Sequence, residues 1–108
     1  MRTIEYKDWC NRGKELYGKG VDWKFRCPAC GHIQSVRSIE KNTPTITREK
    51  IESMVHFSCE GRINKNFGCD WTLGGLLRMH ELEIKMEDGA MRMAFAFADD
   101  PIEERKGI

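Results

Sequence analysis

The sequence contains no apolar run that approaches the length needed to cross a membrane, and residues 1–8 lack the hydrophobic stretch of a secretory signal. It also contains no internal repeat and no low-complexity segment. These absences predict a cytoplasmic chain whose thiols stay reduced. The five cysteines agree with this expectation, because an odd number in an unexported chain does not suggest a disulfide framework.

Motifs of the common zinc enzymes are missing as well. His80-Glu81 is not followed by a second histidine at the spacing of a metalloprotease helix, and no His-x-Glu precedes the Cys-x-x-Cys pair as deaminases require. His32, His56, Asn64 and Asn66 make up only a fragment of an HNH nuclease signature. We therefore predict that the chain is not an enzyme.

Length and composition indicate one small domain. The chain has 108 residues, of which 40% are hydrophobic, so its core is thin. We predict a domain over residues 1–98 and a charged, flexible tail over residues 99–108. The net charge of +1 conceals an asymmetry, because residues 1–50 hold 11 basic and 6 acidic side chains whereas residues 51–108 hold 7 and 11. A basic face near the first half permits, but does not require, nucleic acid as a partner.

The most informative pattern is Cys27-Pro28-Ala29-Cys30-Gly31 with Cys59 and Cys69 further along the chain. A Cys-x-x-Cys turn presents two thiolates to one metal ion, and two more cysteines complete a tetrahedral shell of four sulfurs. Gly31 can adopt positive φ, which lets backbone N–H groups point toward the sulfurs. The pattern predicts a Zn²⁺ site with Cys27, Cys30, Cys59 and Cys69 as ligands.

Alternatives to this ligand set stay open at the level of sequence. The Cys-x-x-Cys pair could be a redox centre or a disulfide, although residues 31–35 show no helix start of the thioredoxin type. Cys59 and Cys69 are separated by nine residues, so His56 or His32 could replace one of them. Cys10 is expected to be a lone buried thiol.

Periodicity predicts the following order of elements. We expect an amphipathic helix over residues 5–17 that ends at Gly18, then a strand over 21–26. Residues 33, 36 and 39 recur at helical spacing, although a strand remains possible there. A helix capped by Thr47 and ending at Met54 follows, and then strands over 55–58 and 70–73. The fold class is α+β, with a small antiparallel sheet of the zinc-ribbon kind, an N-terminal helix and a C-terminal β-hairpin.

The hairpin is the clearest local signal outside the cysteines. Alternating apolar residues precede and follow Asp88-Gly89, which predicts a two-residue type I′ turn. Pairing about that turn places Met86 opposite Met91, Ile84 opposite Met93 and Leu82 opposite Phe95. This register predicts one continuous apolar face that covers the core.

Two resemblances follow from these motifs. The segments 27–31, 57–59 and 69–72 resemble the zinc ribbons at the C-terminus of bacterial type I topoisomerases. The whole chain is similar to a family of short proteins encoded by bacteriophages and prophages, through Tyr6-Lys7-Asp8-Trp9, the Cys-Pro-x-Cys-Gly-His turn, Cys59-Glu60-Gly61-Arg62 and Gly68-Cys69-Asp70-Trp71. That similarity implies a zinc-bound fold in a phage setting, hence in the host cytoplasm, and implies no particular activity.

We expect the chain to be a binding module that acts in phage–host interaction. One candidate ligand is nucleic acid, for which the candidate contacts are Lys24, Arg26, Arg37, Arg62, Lys65 and Phe67. The alternative is a host bacterial protein, bound by an inhibitor of a defence system such as an anti-CRISPR protein. No membrane partner is expected, and the sequence leaves the oligomeric state open.

Overall fold

The computed structural model of the chain describes residues 2–70, 72 and 82–99. Its elements, in chain order, are β1 (Arg2–Glu5), α1 (Tyr6–Tyr17), a 3-10 turn (Gly20–Asp22), β2 (Phe25–Arg26), β3 (Ile33–Gln34), α2 (Val36–Asn42), α3 (Arg48–Met54), a 3-10 turn (Glu60–Arg62), β4 (Leu82–Lys85) and β5 (Met91–Ala94). The predicted α+β class is confirmed. Of the predicted tail, all but Asp99 lies outside the described residues, as do His80 and Trp71.

The larger sheet has the strand order β1-β4-β5. β4 and β5 are antiparallel, but β1 runs parallel to β4, with Ile4 aligned with Ile84. The sheet is therefore mixed, whereas the sequence predicted an antiparallel one, because β1 was not recognised in a four-residue stretch that directly precedes a helix. A parallel pair needs a long crossover connection, and both cysteine pairs lie in that connection.

Helix α1 confirms the predicted N-terminal helix. It begins at Tyr6 without a side-chain cap and ends where Gly18 adopts a φ of 81°. Since no capping side chain stabilises its start, packing must hold it in place. Trp9, Leu16 and Tyr17 pack against the main core, as their spacing predicted.

The predicted strand over residues 21–26 is too long. Residues 20–22 form a 3-10 turn, in which the N–H of Trp23 bonds to the carbonyl of Gly20 at 3.2 Å. This turn lets the Trp23 indole lie against Gly13 of α1, where no side chain stands in its way. Only Phe25–Arg26 forms a strand, and it pairs with β3.

The segment after the first cysteine pair divides into a strand and a helix. Ile33 belongs to β3 and is half exposed, so the strand left open by the sequence forms at this residue, and the helical spacing does not include it. α2 starts after Ser35, whose hydroxyl accepts from the N–H of Ser38 while the Ser38 hydroxyl accepts from the N–H of Ser35. This reciprocal cap fixes the helix start at Val36.

The second predicted helix is confirmed, but the strand after it is not. Thr47 caps α3 by accepting from the N–H of Lys50 at 3.2 Å. Residues 55–57 then form a turn, because the N–H groups of Phe57 and Ser58 bond back to the carbonyl of Met54. Of the predicted strands 55–58 and 70–73, the described residues show only an isolated bridge between Ser58 and Thr72.

The hairpin forms, but its predicted register is wrong by one residue. Lys85 lies opposite Met91 and Ile84 opposite Arg92. The N–H of Met86 bonds to the carbonyl of Ala90, so three residues form the loop, and Gly89 has a φ of 90°. A type I turn followed by a left-handed glycine gives this three-residue loop. The slip moves side chains to the other face, which leaves Met91 and Met93 exposed instead of buried.

Two clusters of buried side chains form the interior. The larger joins β2, α2, α3 and the residues after β5, and it includes Cys27 and Cys59; the smaller lies under the mixed sheet, at Leu82, Ile84 and Ala94. Residues after β5 continue beside β2, since the N–H of Arg26 bonds to the carbonyl of Ala96. Within the described ranges, no helix has the length and apolar character needed to span a bilayer.

Candidate metal centre

Cys27 and Cys30 are positioned by the hairpin of β2 and β3. Phe25 pairs with Gln34 and Arg26 with Ile33, so the two strands bring the turn between them to a fixed place. Within the turn, the N–H of Cys27 bonds to the carbonyl of His32, and the N–H of Gly31 bonds to the carbonyl of Cys27, both at 2.9 Å. Gly31 has a φ of 80°, the left-handed conformation that glycine adopts most readily.

Cys59 and Cys69 are positioned by a compact loop. Cys59 precedes the 3-10 turn, and the backbone of Cys69 passes directly over Gly61, where an added Cβ would collide with the Cys69 carbonyl oxygen. Gly68 adopts a φ of 71°, and an added Cβ there would lie 2.5 Å from Sγ of Cys59. Both glycines are therefore needed for the two cysteines to approach each other, despite the nine residues between them.

The four sulfur atoms lie together. The Sγ atoms of Cys27 and Cys69 are 3.8 Å apart, those of Cys30 and Cys59 are 3.7 Å apart, and all four lie within 4.8 Å of one another. For a metal–sulfur bond of about 2.3 Å, the edges of a regular tetrahedron measure about 3.8 Å. The distances exceed a disulfide bond of about 2.05 Å, and all five cysteines are free thiols. The cluster thus has the dimensions of a site that could hold one metal ion.

Burial differs among the four cysteines. Cys27 and Cys59 have no exposed surface, Cys69 is half-buried and Cys30 is exposed. Burial raises the pKa of the Cys27 thiol to about 12. Burial acts in the same direction on Cys30, but the backbone N–H of His32 and the neighbouring thiols outweigh it and lower the pKa of that thiol. Without a cation, such a cluster holds protons that a metal ion would have to displace.

Backbone N–H groups point at the sulfurs, as the sequence predicted. The N–H of Cys69 donates to Sγ of Cys59 at 3.2 Å, and the N–H groups of Ala29 and Cys30 donate to Cys27. Such donors stabilise the negative charge of metal-bound thiolates. The donors and the tetrahedral spacing together fit a four-thiolate metal site.

Neither histidine proposed as a substitute ligand belongs to the cluster. In the part of the chain that the structure describes, the residues that group around a common point are the four cysteines. His56 instead lies among aromatic rings, with its centroid 5.3 Å from that of Phe57 and 6.3 Å from that of Phe25. His32 forms a hydrogen bond through Nε2 to Oε1 of Glu60 at 2.8 Å.

Glu60 is the centre of a polar network that the sequence did not reveal. Its side chain has no exposed surface, and its second carboxylate oxygen accepts from the Asn42 amide at 2.8 Å. Its backbone N–H donates to Oε1 of Gln34 at 2.7 Å, and the Gln34 amide donates to the carbonyls of Val55 and Ser58. The network links the first cysteine hairpin to the segment that contains Cys59. Its only sequence signal was the position of Glu60 directly after a cysteine.

The six candidate nucleic-acid contacts fall into separate places. Arg62 and Lys65 line an open depression beside Cys69, where Nη1 of Arg62 donates to the carbonyl of Asp70 at 2.9 Å. Lys24 and Arg37 line a different groove. Arg26 donates to the carbonyl of Ala98, and Phe67 is half-buried with its ring 6.5 Å from that of His32. The structure therefore does not gather the six residues into one surface.

The model of the VVA0879-like family matches residues 5–98. The chain belongs to this family. The match spans all four cysteines, both glycines of the second loop and the buried Glu60, so the cysteine cluster lies within the residues matched by the VVA0879-like family. No curated protein and no solved structure matches the chain.

Proposed function

We propose that the chain is a small binding module whose fold is stabilised by one structural Zn²⁺ ion and whose ligand is nucleic acid. The single observation that supports the first part is the tetrahedral spacing of four thiol sulfurs contributed by two distant segments. A shell of four cysteines leaves no coordination position for a substrate, so the ion serves structure and the module is not an enzyme. Zn²⁺ joins segments 29 residues apart in a chain with a thin core.

Elemental analysis tests the identity of the metal. Protein expressed without added metal should contain one zinc per chain, and substitution of each ligand cysteine by serine should lower both the bound zinc and the melting temperature. Cys10→Ser is the matched control, because Cys10 lies outside the cluster, and it should keep the zinc. A tetrahedral four-sulfur site also accepts iron. Stoichiometric iron with visible absorbance, or a folded protein free of metal, would contradict the zinc assignment.

Nucleic acid is favoured by the depression beside the metal centre. Its lining contains two cations, Arg62 and Lys65, and one carboxylate, Asp70, together with Gly61, Gly68 and Cys69. The hydrogen bond from Arg62 to the carbonyl of Asp70 holds the guanidinium next to the loop that contains Cys69. Two cations on a loop fixed by the metal form a preorganised contact for phosphate oxygens.

Fluorescence anisotropy with labelled oligonucleotides tests this part. Binding of single-stranded DNA, duplex DNA or RNA should weaken steeply as salt rises, because phosphate contacts release counterions. Arg62→Ala/Lys65→Ala should lower affinity about tenfold and reduce the salt slope by about 2. Lys7→Ala/Lys50→Ala removes the same charge from exposed helix positions and should change affinity much less. The absence of binding to all three at low salt would overturn the proposal.

The phage context predicted from the sequence is more specific than the proposed binding of nucleic acid. The resemblance to phage-encoded proteins would place the module in the cytoplasm of an infected bacterium, and inhibition of a host defence protein stays a prediction. Affinity purification from bacterial lysate, repeated after nuclease treatment, distinguishes inhibition of a host protein from binding of nucleic acid. A protein partner that survives nuclease favours inhibition, whereas retention of nucleic acid alone favours the proposed function.

A further inference from the structure

A groove lined by three cationic side chains lies between the end of α1 and helix α2. Its floor includes Leu16 and Tyr17, and its charged side chains are Asp22, Lys24, Arg37 and Lys41. We call it the cationic groove. Lys41 was not among the candidate contacts predicted from the sequence.

The groove has an excess of positive charge. Asp22 accepts from Nε of Arg37 at 2.6 Å, so its carboxylate is matched by one of the three cations. Lys24 and Lys41 are exposed, and neither forms an ion pair with the residues that the structure describes. An apolar floor under two uncompensated ammonium groups fits a ligand that combines carboxylates with an apolar side chain.

A segment of this chain that fits such a ligand begins at the edge of the groove. The N–H of Ala98 bonds to the carbonyl of Lys24 at 2.9 Å, and the N–H of Asp99 bonds to the hydroxyl of Tyr17 at 3.0 Å. Lys24 and Tyr17 both line the groove. The sequence that continues from this point is Asp99-Asp100-Pro101-Ile102-Glu103-Glu104, four carboxylates around one isoleucine.

We propose that the acidic segment 99–104 binds the cationic groove of its own chain, with its carboxylates toward Lys24, Arg37 and Lys41 and Ile102 on the apolar floor. Five residues beyond Asp99 reach at most about 17 Å when extended, and the segment starts at the groove. The proline disfavours helical conformation at Asp100, which suits an extended ligand. Tethering supplies a high effective concentration, so weak contacts suffice.

This occupancy gives the segment a regulatory role, which rests on the proposed nucleic-acid function. Lys24 and Arg37 are candidate phosphate contacts, and the segment would compete with phosphates for them. A nucleic-acid strand that contacts these two residues as well as the depression beside Cys69 would have to displace the segment from the groove. The competition lowers affinity for any weakly bound strand and so raises selectivity.

The test uses the full chain with Asp100→Asn/Glu103→Gln/Glu104→Gln. In the metal-bound protein, this variant should shift the backbone amide NMR signals of Lys24, Arg37, Lys41 and Ser38. Glu49→Gln/Glu52→Gln/Glu87→Gln is the matched control, because it removes the same charge from exposed positions that do not line the groove, and it should leave those signals in place. Oligonucleotide affinity should rise about three- to tenfold in the first variant only.

The outcomes separate the two proposals. Unchanged groove signals in the first variant overturn groove occupancy, even if the protein binds nucleic acid. Shifted groove signals without any oligonucleotide binding support occupancy and overturn the nucleic-acid function instead. Groove signals that depend on protein concentration would overturn binding within one chain, because they indicate a segment from a second copy.

Discussion

A Cβ added to Gly68 would lie only 2.5 Å from Sγ of Cys59. A Cβ essentially never lies within 3.0 Å of another heavy atom, so the loop and the Cys59 side chain are compatible only with glycine at this position. The ring of His32 lies on the same side, 3.3 Å from that point. Gly68 therefore sets the approach of the second cysteine pair.

We predict that Gly68→Ala lowers metal affinity about tenfold or more, because the methyl group must displace Sγ of Cys59 from the tetrahedron. Competition with a chromophoric chelator measures the affinity. Gly89→Ala is the control, since Gly89 also has positive φ but no atom within 4 Å of the added Cβ. That variant should lose stability through backbone strain and keep full metal affinity. Equal metal affinity in both variants would contradict the steric explanation.

We predict that Glu60→Ala lowers the free energy of unfolding by about 3 kcal/mol, because it leaves the His32 and Asn42 donors without their buried acceptor. Denaturant unfolding of the metal-bound protein measures the loss. Glu52→Ala removes an exposed glutamate of α3 and should change stability by less than about 0.5 kcal/mol. A small effect at Glu60 would mean that water replaces the carboxylate.

The four cysteines that the sequence predicted as ligands lie within 4.8 Å of one another, and this grouping could be predicted because its signal is local. A Cys-x-x-Cys turn needs only its own residues, and two further cysteines complete the coordination number. The sequence did not predict Glu60, Gln34 and Asn42 as a network, because each is an ordinary polar residue until folding brings it into the interior. A buried glutamate cannot be told from an exposed one when its partners lie 18 and 28 residues away.

The fold shows the same contrast between features that depend on adjacent residues and features that depend on residues far apart in the sequence. Capping by Thr47 and the stop at Gly18 depend on adjacent residues and were predicted. The hairpin register depended on whether two or three residues form the loop, and Asp88-Gly89 permits both. Strand β1 depends on a partner about 80 residues away in the sequence. Elements whose stability comes from distant pairing leave little trace in a short stretch of residues.

We predict that stability falls as pH drops below about 6.5, in part through His56. Burial among aromatic rings, and secondly the charge of Arg92, lower the pKa of His56 below its usual value of 6.5. The unfolded chain therefore binds a proton more readily than the fold does, so this contribution is fully present above 6.5 and is lost as pH falls through the lowered pKa. Urea unfolding of the parent and of His56→Gln at pH 7.5, 6.5 and 5.5 measures it.

Acid also protonates metal-binding thiolates, so the informative quantity is the difference between the parent and the variant at each pH. His56→Gln keeps the four cysteines and should make stability less dependent on pH over this window. Parallel curves for the two proteins would show that His56 does not contribute. Arg92→Gln should reduce the dependence only slightly, because the charge is the smaller cause.

We predict that Gly13→Ala destabilises the fold although alanine favours helices. A Cβ at position 13 would lie 2.6 Å from atoms of the Trp23 indole, whose Nε1 donates to the carbonyl of Gly18 at 3.2 Å. The indole also packs edge-on against Trp9, with ring centroids 5.3 Å apart, so it cannot retreat without disturbing the core. The cost of such overpacking, about 1–3 kcal/mol, exceeds the gain in helix propensity of about 1 kcal/mol.

Thermal unfolding measures the net loss, with Gly20→Ala as the control, since nothing lies within 4 Å of a Cβ there. If Gly13→Ala proved more stable than the parent, propensity rather than the contact with Trp23 would determine the residue at this position.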